Sequence, residues 1–254
     1  MVSKARMTEL VKAFAFTEVD AGLAGTPALL GYRDQRGRNW LHLCCGADVR
    51  EAGRSPEASV RTADVLLGRG LDKGSVAFTE GDWKATPVWY AIGWGRNHLL
   101  AEHLLKLGAN PNYSLFAAGY NRDLEAIRLL IRYGATVDEV HEGETPFLGL
   151  VGWSHFEAAE ELLRHGADPN ARDAKGRTAL HMMLKKGSDA AHVAMLLAHG
   201  ARTDIPGPDG VTAAEILRRK KDPKLRRLAE RLQVVVRNTP APPRGGRRST
   251  TPSP

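Results

Sequence analysis

The sequence repeats a short pattern that ends in glycine and alanine. At four places Gly-Ala follows an aliphatic pair that stands four residues before the glycine. Apolar pairs closed by a glycine that can adopt a left-handed conformation are typical of a helix and its C-terminal stop. The copies lie at 104–109, 130–135, 162–167 and 196–201, with a divergent one at 66–70. A spacing of some tens of residues predicts an array of similar helical units.

A second recurrent element precedes these helices. Thr-Pro or Thr-Ala begins at Thr86, Thr145, Thr178 and Thr212. A threonine hydroxyl can cap a helix start, and proline at the next position has a backbone angle that suits the first turn. The segments DQRGRNWLH (34–42) and DAKGRTALH (173–181) share five of nine letters in register. Each unit is therefore predicted to be a turn followed by two helices.

This pattern resembles the ankyrin repeat. The segment 173–201, DAKGRTALHMMLKKGSDAAHVAMLLAHGA, follows the family's order of turn, Thr-Pro-Leu-His-like helix start and Gly-Ala end, and 145–168 and 113–136 align with it without a gap. The resemblance implies an all-α solenoid of stacked helix-turn-helix units with short hairpin fingers and capping helices at both ends. We expect an N-terminal capping pair over 1–30 and an array over 31–233, with about five central repeats and a C-terminal cap.

Departures from the repeat predict irregular surface. From Gly108 to Tyr113 only five residues separate two repeats, where Gly166 and Thr178 are twelve apart. The finger between those two repeats should therefore be missing. By contrast, 70–86 should form a long finger, and about ten extra residues near 46–56 should separate the first two array helices.

No residue pattern indicates catalysis, a metal site or a cofactor. His98 and His103 have one residue too many between them for an inverted zinc-protease motif. The resemblance gives His42 and His181 a structural role at a helix start. Cys44 and Cys45 occupy its small-residue positions, where buried packing is the default. We therefore expect a protein that is not an enzyme.

Large aromatic residues recur where the resemblance requires none. Two positions follow the small residues of each inner helix. In three successive repeats one of these positions is a large aromatic residue, namely Trp94, Tyr120 and Trp153. Trp83 on the long finger adds a ring on the same expected side. Aromatic rings that the core does not need are typical anchors of a protein interface. The alternative is that the rings merely pack across neighbouring repeats.

Basic residues follow the aromatic ones along the predicted groove. They are Arg172, Lys175, Arg177, Lys185 and Lys186. A partner protein with an apolar segment followed by acidic residues would suit this surface. The sequence thus favours a non-catalytic adaptor that binds a partner through the concave groove and the finger tips, and it leaves open a regulatory adaptor that docks onto a catalytic partner.

The net charge of +7 is concentrated near the C-terminus. Between 218 and 248, twelve Lys and Arg face Asp222 and Glu230, so this segment carries +10 and the rest of the chain −3. The alternative function is therefore a nucleic-acid or anionic-surface binder that uses 218–248. Residues 234–254 are rich in Pro, Gly, Ser and Thr and are predicted to be a disordered basic tail. Without an apolar run long enough for a membrane, and with only two adjacent cysteines, we expect a cytoplasmic monomer.

Overall fold

The computed structural model describes residues 1–238, and the side-chain surroundings of residues 1–230. Within this part, fourteen α-helices are joined by turns, one 3-10 helix (Pro27–Gly31) and one hairpin, β1 (Thr79–Glu80) with β2 (Trp83–Lys84). In chain order the helices are α1 (Lys4–Lys12), α2 (Phe16–Gly25), α3 (Trp40–Cys45), α4 (Pro56–Gly68), α5 (Pro87–Gly93), α6 (His98–Lys106), α7 (Leu115–Tyr120), α8 (Leu124–Arg132), α9 (Pro146–Gly152), α10 (Phe156–Arg164), α11 (Ala179–Lys186), α12 (Ala190–Ala198), α13 (Ala213–Arg219) and α14 (Pro223–Asn238).

The helices stack in two layers. From α3 to α13, each odd-numbered helix contacts the next odd-numbered one, and from α4 to α14 each even-numbered helix contacts the next even-numbered one. At the N-terminal end, α1 packs on α3 and α2 packs on α4. One hydrophobic core therefore runs from repeat to repeat, because each helix pair covers the apolar face that its neighbour cannot cover alone. The predicted all-α ankyrin solenoid is confirmed.

The recurrent residues begin and end the helices as their chemistry predicts. The Thr86 and Thr145 hydroxyls accept hydrogen bonds from backbone N–H groups of the first turns of α5 and α9, and a proline opens each helix. After the even-numbered helices, Gly108, Gly134 and Gly166 adopt φ values between 84° and 90°. A side chain would be strained in this left-handed conformation, so the glycines stop the helices.

The two matching turns of the sequence fold identically. Asp34 accepts hydrogen bonds from two backbone N–H groups of its turn and from the guanidinium of Arg38, and Asp173 accepts the same set with Arg177. The Nε2 atoms of His42 and His181 lie 3.1 Å from carbonyl oxygens of the next finger. Burial lowers the pKa of His42 to about 4, so its ring is neutral at pH 7. The predicted structural role of both histidines is confirmed.

The fingers have unequal lengths. Residues 79–84 form the antiparallel hairpin of the long finger, and isolated strand bridges join His141 to Glu144, Arg172 to Thr178 and Pro206 to Thr212. Residues 107–114, which the structure describes in full, contain only turns and no bridge. The finger that the short spacing predicts to be missing is therefore missing.

The C-terminal boundary differs from the prediction. Helix α14 continues to Asn238, beyond the predicted array end at residue 233, so the prediction of a disordered tail from residue 234 is wrong for 234–238. The physical reason is that the first residue able to break this helix is Pro240. The predicted tail from 239 to 254 lies outside the described residues. Among the helices described, none is both long and apolar enough to cross a bilayer.

Candidate partner-binding groove

Three of the predicted aromatic residues lie at the ends of consecutive odd-numbered helices. Trp94 and Trp153 immediately follow α5 and α9, and Tyr120 is the last residue of α7. Their exposed fractions are 57%, 44% and 63%, which is unusual for side chains of this size. The rings of Tyr120 and Trp153 meet edge to face, with centroids 5.3 Å apart. They pack against each other and still present a large area to solvent.

Trp83 joins this row from the long finger. Its indole Nε1 donates a hydrogen bond to the Tyr113 carbonyl at 3.0 Å, and its ring meets Trp89 edge to face at 4.9 Å. The bond to Tyr113 lies in the connection that has no finger of its own. The hairpin of the long finger therefore contacts the connection that lacks a finger of its own.

Together these rings line one open groove. It has a volume of about 530 Å³ and contains all four predicted aromatic residues. Trp89, Phe116 and Glu80 also line it; Trp89 and Phe116 are half-buried, and Glu80 is exposed. The site residues predicted from the sequence do not include Trp89, Phe116 or Glu80.

Hydrogen bonds between repeats fix the floor of the groove. In each of α5, α7 and α9, a carbonyl of the last turn accepts a hydrogen bond from a side chain of the following repeat. The pairs are Asn121 Nδ2 with Gly93 O at 3.0 Å, His155 Nδ1 with Gly119 O at 3.2 Å, and Lys186 Nζ with Gly152 O at 3.0 Å. Since helix-end carbonyls lack partners within their own helix, these bonds hold the aromatic residues beside them in place.

An acidic pocket adjoins the aromatic row, and the sequence-based prediction missed it. This acidic pocket, of about 300 Å³, is lined by Glu80, Trp83, Phe116, His141, Glu142, Glu144 and Trp153. Burial and the nearby charge of Asp173 raise the pKa of Glu144, so its ionised form is held at a cost that a cation would relieve. The available signal was the acidic character of both fingers, at Glu80 and at 142–144.

The predicted basic residues are not all free. Arg177 pairs with the buried carboxylate of Asp173 at 2.6 Å, and Arg172 donates to the Pro206 carbonyl at 3.0 Å. Lys186 is engaged at the end of α9, and within the described residues Lys185 makes no side-chain hydrogen bond or ion pair.

Only part of the predicted basic end reaches the groove. Arg177, Lys185 and Lys186 line a depression beside Trp153, whereas Arg172 and Lys175 do not. The structure therefore brings three of the five predicted basic residues together in this depression and leaves those two outside it. The side chain of Arg172 crosses to the following finger instead of facing the groove.

The basic C-terminal segment and the cysteines lie away from the groove. Arg218, Arg219, Lys224, Arg226 and Arg227 are exposed on the last helix pair, as an end repeat requires. Burial raises the pKa of the Cys44 thiol well above its usual range. In the part of the chain that the structure describes, no three His, Cys, Asp or Glu side chains are grouped as metal ligands would be.

Comparison with known proteins agrees with the fold. The model for ankyrin repeats in three copies matches residues 88–173, and the model for ankyrin repeats in many copies matches residues 150–197. Residues 88–197 of this chain are therefore ankyrin repeats.

Among curated relatives, human inversin is 31% identical over 126 residues, which make up 49% of this chain and 12% of inversin. The BRCA1-associated RING domain protein 1 of Caenorhabditis elegans is 31% identical over 128 residues, 49% of this chain and 18% of that protein. The chain thus matches only a small part of each relative's length.

Solved structures show the same solenoid. The ankyrin repeat domain of Bcl-3 superposes with a TM-score of 0.67 at 19% identity, covering 89% of this chain and 97% of that one. The human ASB11 ankyrin repeat domain gives a TM-score of 0.65 at 18% identity, covering 95% and 100%. Both structures show the same fold as this chain, and ankyrin repeat domains are general protein-protein interaction modules.

Proposed function

We propose that this chain is a non-catalytic binding module that holds a segment of a partner protein in the groove lined by Trp83, Trp94, Tyr120 and Trp153. The observation that carries the proposal is that three exposed rings, those of Trp94, Tyr120 and Trp153, line one groove with the half-buried ring of Trp83. Contiguous exposed apolar surface marks interaction sites, and rigid aromatic side chains supply much contact area for little lost conformational entropy.

The shape of the groove favours an extended segment as the ligand. The rings lie side by side across three repeats, and two further depressions continue the groove at its acidic and basic ends. A partner chain running along the stack can therefore place an apolar residue against the rings and an acidic residue near Lys185. The partner is a protein and not a small molecule because the open groove cannot enclose a small ligand.

The test is a triple substitution, Trp94→Ala with Tyr120→Ala and Trp153→Ala. Because all three rings are about half exposed, we expect helical content to stay unchanged and the melting temperature to fall by only a few degrees, while capture of the partner from source-cell extract is lost. The matched control is Leu99→Ala with Leu107→Ala, which removes exposed apolar side chains at 43% and 47% exposure from α6 and its end.

Two results would contradict the proposal. Unchanged partner capture by the triple variant would place the binding surface elsewhere. A large loss of stability would show that the rings belong to the core instead of a binding site.

We further propose that the protein works in a reducing compartment such as the cytoplasm. Cys44 and Cys45 are both buried free thiols, packed between α3 and its neighbours and not paired with each other.

A further inference from the structure

We propose that the acidic pocket binds a positively charged side chain of the partner, an arginine or a lysine, between the carboxylates of Glu80, Glu142 and Glu144 and the rings of Trp83 and Trp153. This inference rests on the proposed function, since the pocket opens into the same groove. It assigns the chemistry of one partner residue that the aromatic row alone does not define.

The lining of the pocket includes acidic residues but no lysine or arginine. Three of its seven lining residues are glutamates, and none is lysine or arginine. Within the described residues, none of the three carboxylates forms a salt bridge. The Arg177 guanidinium lowers the pKa of Glu144, but it is paired with Asp173. Lys84 follows Trp83 on the hairpin, and its ammonium lies 5.9 Å from the Tyr113 ring centre. The negative charge therefore lacks a cation of its own.

The aromatic residues of the pocket suit a cation as well as its carboxylates do. Trp83, Trp153 and Phe116 present aromatic rings beside the carboxylates. An ammonium or guanidinium group is attracted to the face of such a ring, most strongly to that of tryptophan. Apolar walls with acidic groups at one side are the surroundings in which a long side chain can bury its methylene groups and pair its charged end.

The nearly buried side chain of His141 is a second feature that points to a polar ligand group in the pocket. The side chain of His141 is only 9% exposed, and among the described residues neither ring nitrogen forms a hydrogen bond; Nε2 lies 3.3 Å from a carboxylate oxygen of Glu139, and Nδ1 has no hydrogen-bond or ion-pair partner. Buried polar atoms are nearly always satisfied in folded proteins. The ring nitrogens of histidine can form hydrogen bonds, so Nδ1 offers a polar contact to the partner segment.

The pocket is held open by two tight turns. His141 and Glu144 exchange both backbone hydrogen bonds at 2.9 Å across Glu142 and Gly143, whose φ values are 51° and 77°. Both central residues with positive φ define the two-residue turn that matches strand twist. On the other side, the β1–β2 hairpin is fixed by the Trp83 bond to Tyr113. Groups that are placed before binding lose little entropy when the ligand arrives.

The basic depression beside Trp153 favours an acidic residue at a neighbouring position of the partner segment. Lys185 is exposed there, next to Arg177 and Lys186, and Glu144 is the one acidic residue that also lines the depression. The groove therefore fits a segment in which a basic residue and an acidic residue flank an apolar one. A segment with these charges exchanged would meet like charge at both ends, which disfavours wrong partners and wrong orientations.

The experiment selects peptides from a random-sequence library on the full chain and keeps those whose binding is lost with the Trp94, Tyr120 and Trp153 alanine variant. We expect the retained peptides to share an arginine or lysine at one position. Replacing that arginine by citrulline, which keeps the shape and removes the charge, should weaken binding at least about tenfold, or 1.4 kcal/mol. The protein variant Glu80→Gln with Glu142→Gln and Glu144→Gln should lose affinity to the same extent.

The matched control is Glu18→Gln with Glu157→Gln and Glu230→Gln, which removes the same charge from exposed positions on α2, α10 and α14 and should leave affinity unchanged. Retained peptides without a shared basic residue, or an affinity that survives the glutamate changes in the pocket, would overturn this inference and leave the proposed function standing. If no peptide depended on the aromatic row, both would be overturned.

Discussion

Glu161 offers the sharpest quantitative test of the stacking. Its carboxylate lies on α10, is only 4% exposed, and receives two hydrogen bonds from Arg128 of α8 at 2.6 and 3.1 Å. Arg164 and His165 also contact it. The hydrogen bond from Arg128 is the largest cause that lowers the pKa of Glu161, to about 2. One carboxylate therefore links two neighbouring repeats.

The magnitude follows from this pKa. A difference from the ordinary value of 4.5 to about 2 corresponds at most to about 3 kcal/mol at 1.36 kcal/mol per pH unit. Arg128 is 52% exposed, so solvent screening reduces the expected loss for Glu161→Gln to about 1–2 kcal/mol. For a chain of this size that is a fall of roughly 2–8 °C in melting temperature.

The assay is urea unfolding of both proteins at pH 7 and pH 3. Because the folded-state pKa lies below the unfolded-state value, the stabilisation is complete above pH 4.5 and is lost as the pH falls toward 2. The gap, which is the difference in free energy of unfolding between wild type and Glu161→Gln, should therefore shrink at pH 3 to less than half of its value at pH 7. Glu157→Gln, an exposed change on the same helix, should show no gap. An equal gap at both pH values would refute the electrostatic explanation.

Three further predictions follow from the packing. A Cβ atom on Gly119 would lie 2.5 Å from Leu150, so Gly119→Ala should destabilise the array by about 1–3 kcal/mol in chemical unfolding. The hydrogen bond to Asp123 raises the pKa of His98 above 6.5, so the melting-temperature loss of His98→Gln should be large at pH 6 and should fade as the pH rises through that pKa; a loss independent of pH would contradict it. The Cys44 thiol should react with a thiol reagent only after unfolding, and rapid labelling of the native protein would be inconsistent with its burial.

The solenoid could be predicted because its signals are local and repeated. A capping threonine, an apolar helix and a glycine stop are encoded within about thirty residues, and each repeat contacts mainly the next. The aromatic row was also accessible, since Trp94, Tyr120 and Trp153 share one position in the repeat. Their exposure follows from that position at the helix ends, beyond the contacts that bury the rest of each helix.

The acidic pocket could not be predicted from such signals. Glu80 and Glu142 belong to fingers of different repeats, and they meet only because the connection near Tyr113 lacks a finger. Side-chain partners were equally hidden: Arg172 and Lys186 look like free charges in the sequence but bond to carbonyl oxygens of neighbouring repeats. The predicted tail begins too early, at residue 234, because the first proline after the start of α14 stands only at residue 240.

The most direct test of the groove uses the five tryptophans as reporters. Trp40 is fully buried, its indole N–H bonded to the Leu29 carbonyl at 2.7 Å, whereas Trp94 and Trp153 lie exposed in the groove. In a two-dimensional ¹H–¹⁵N spectrum with a bound partner peptide, the indole signals of Trp94 and Trp153 should shift while that of Trp40 stays in place. Binding that leaves the Trp94 and Trp153 signals unmoved would contradict the account.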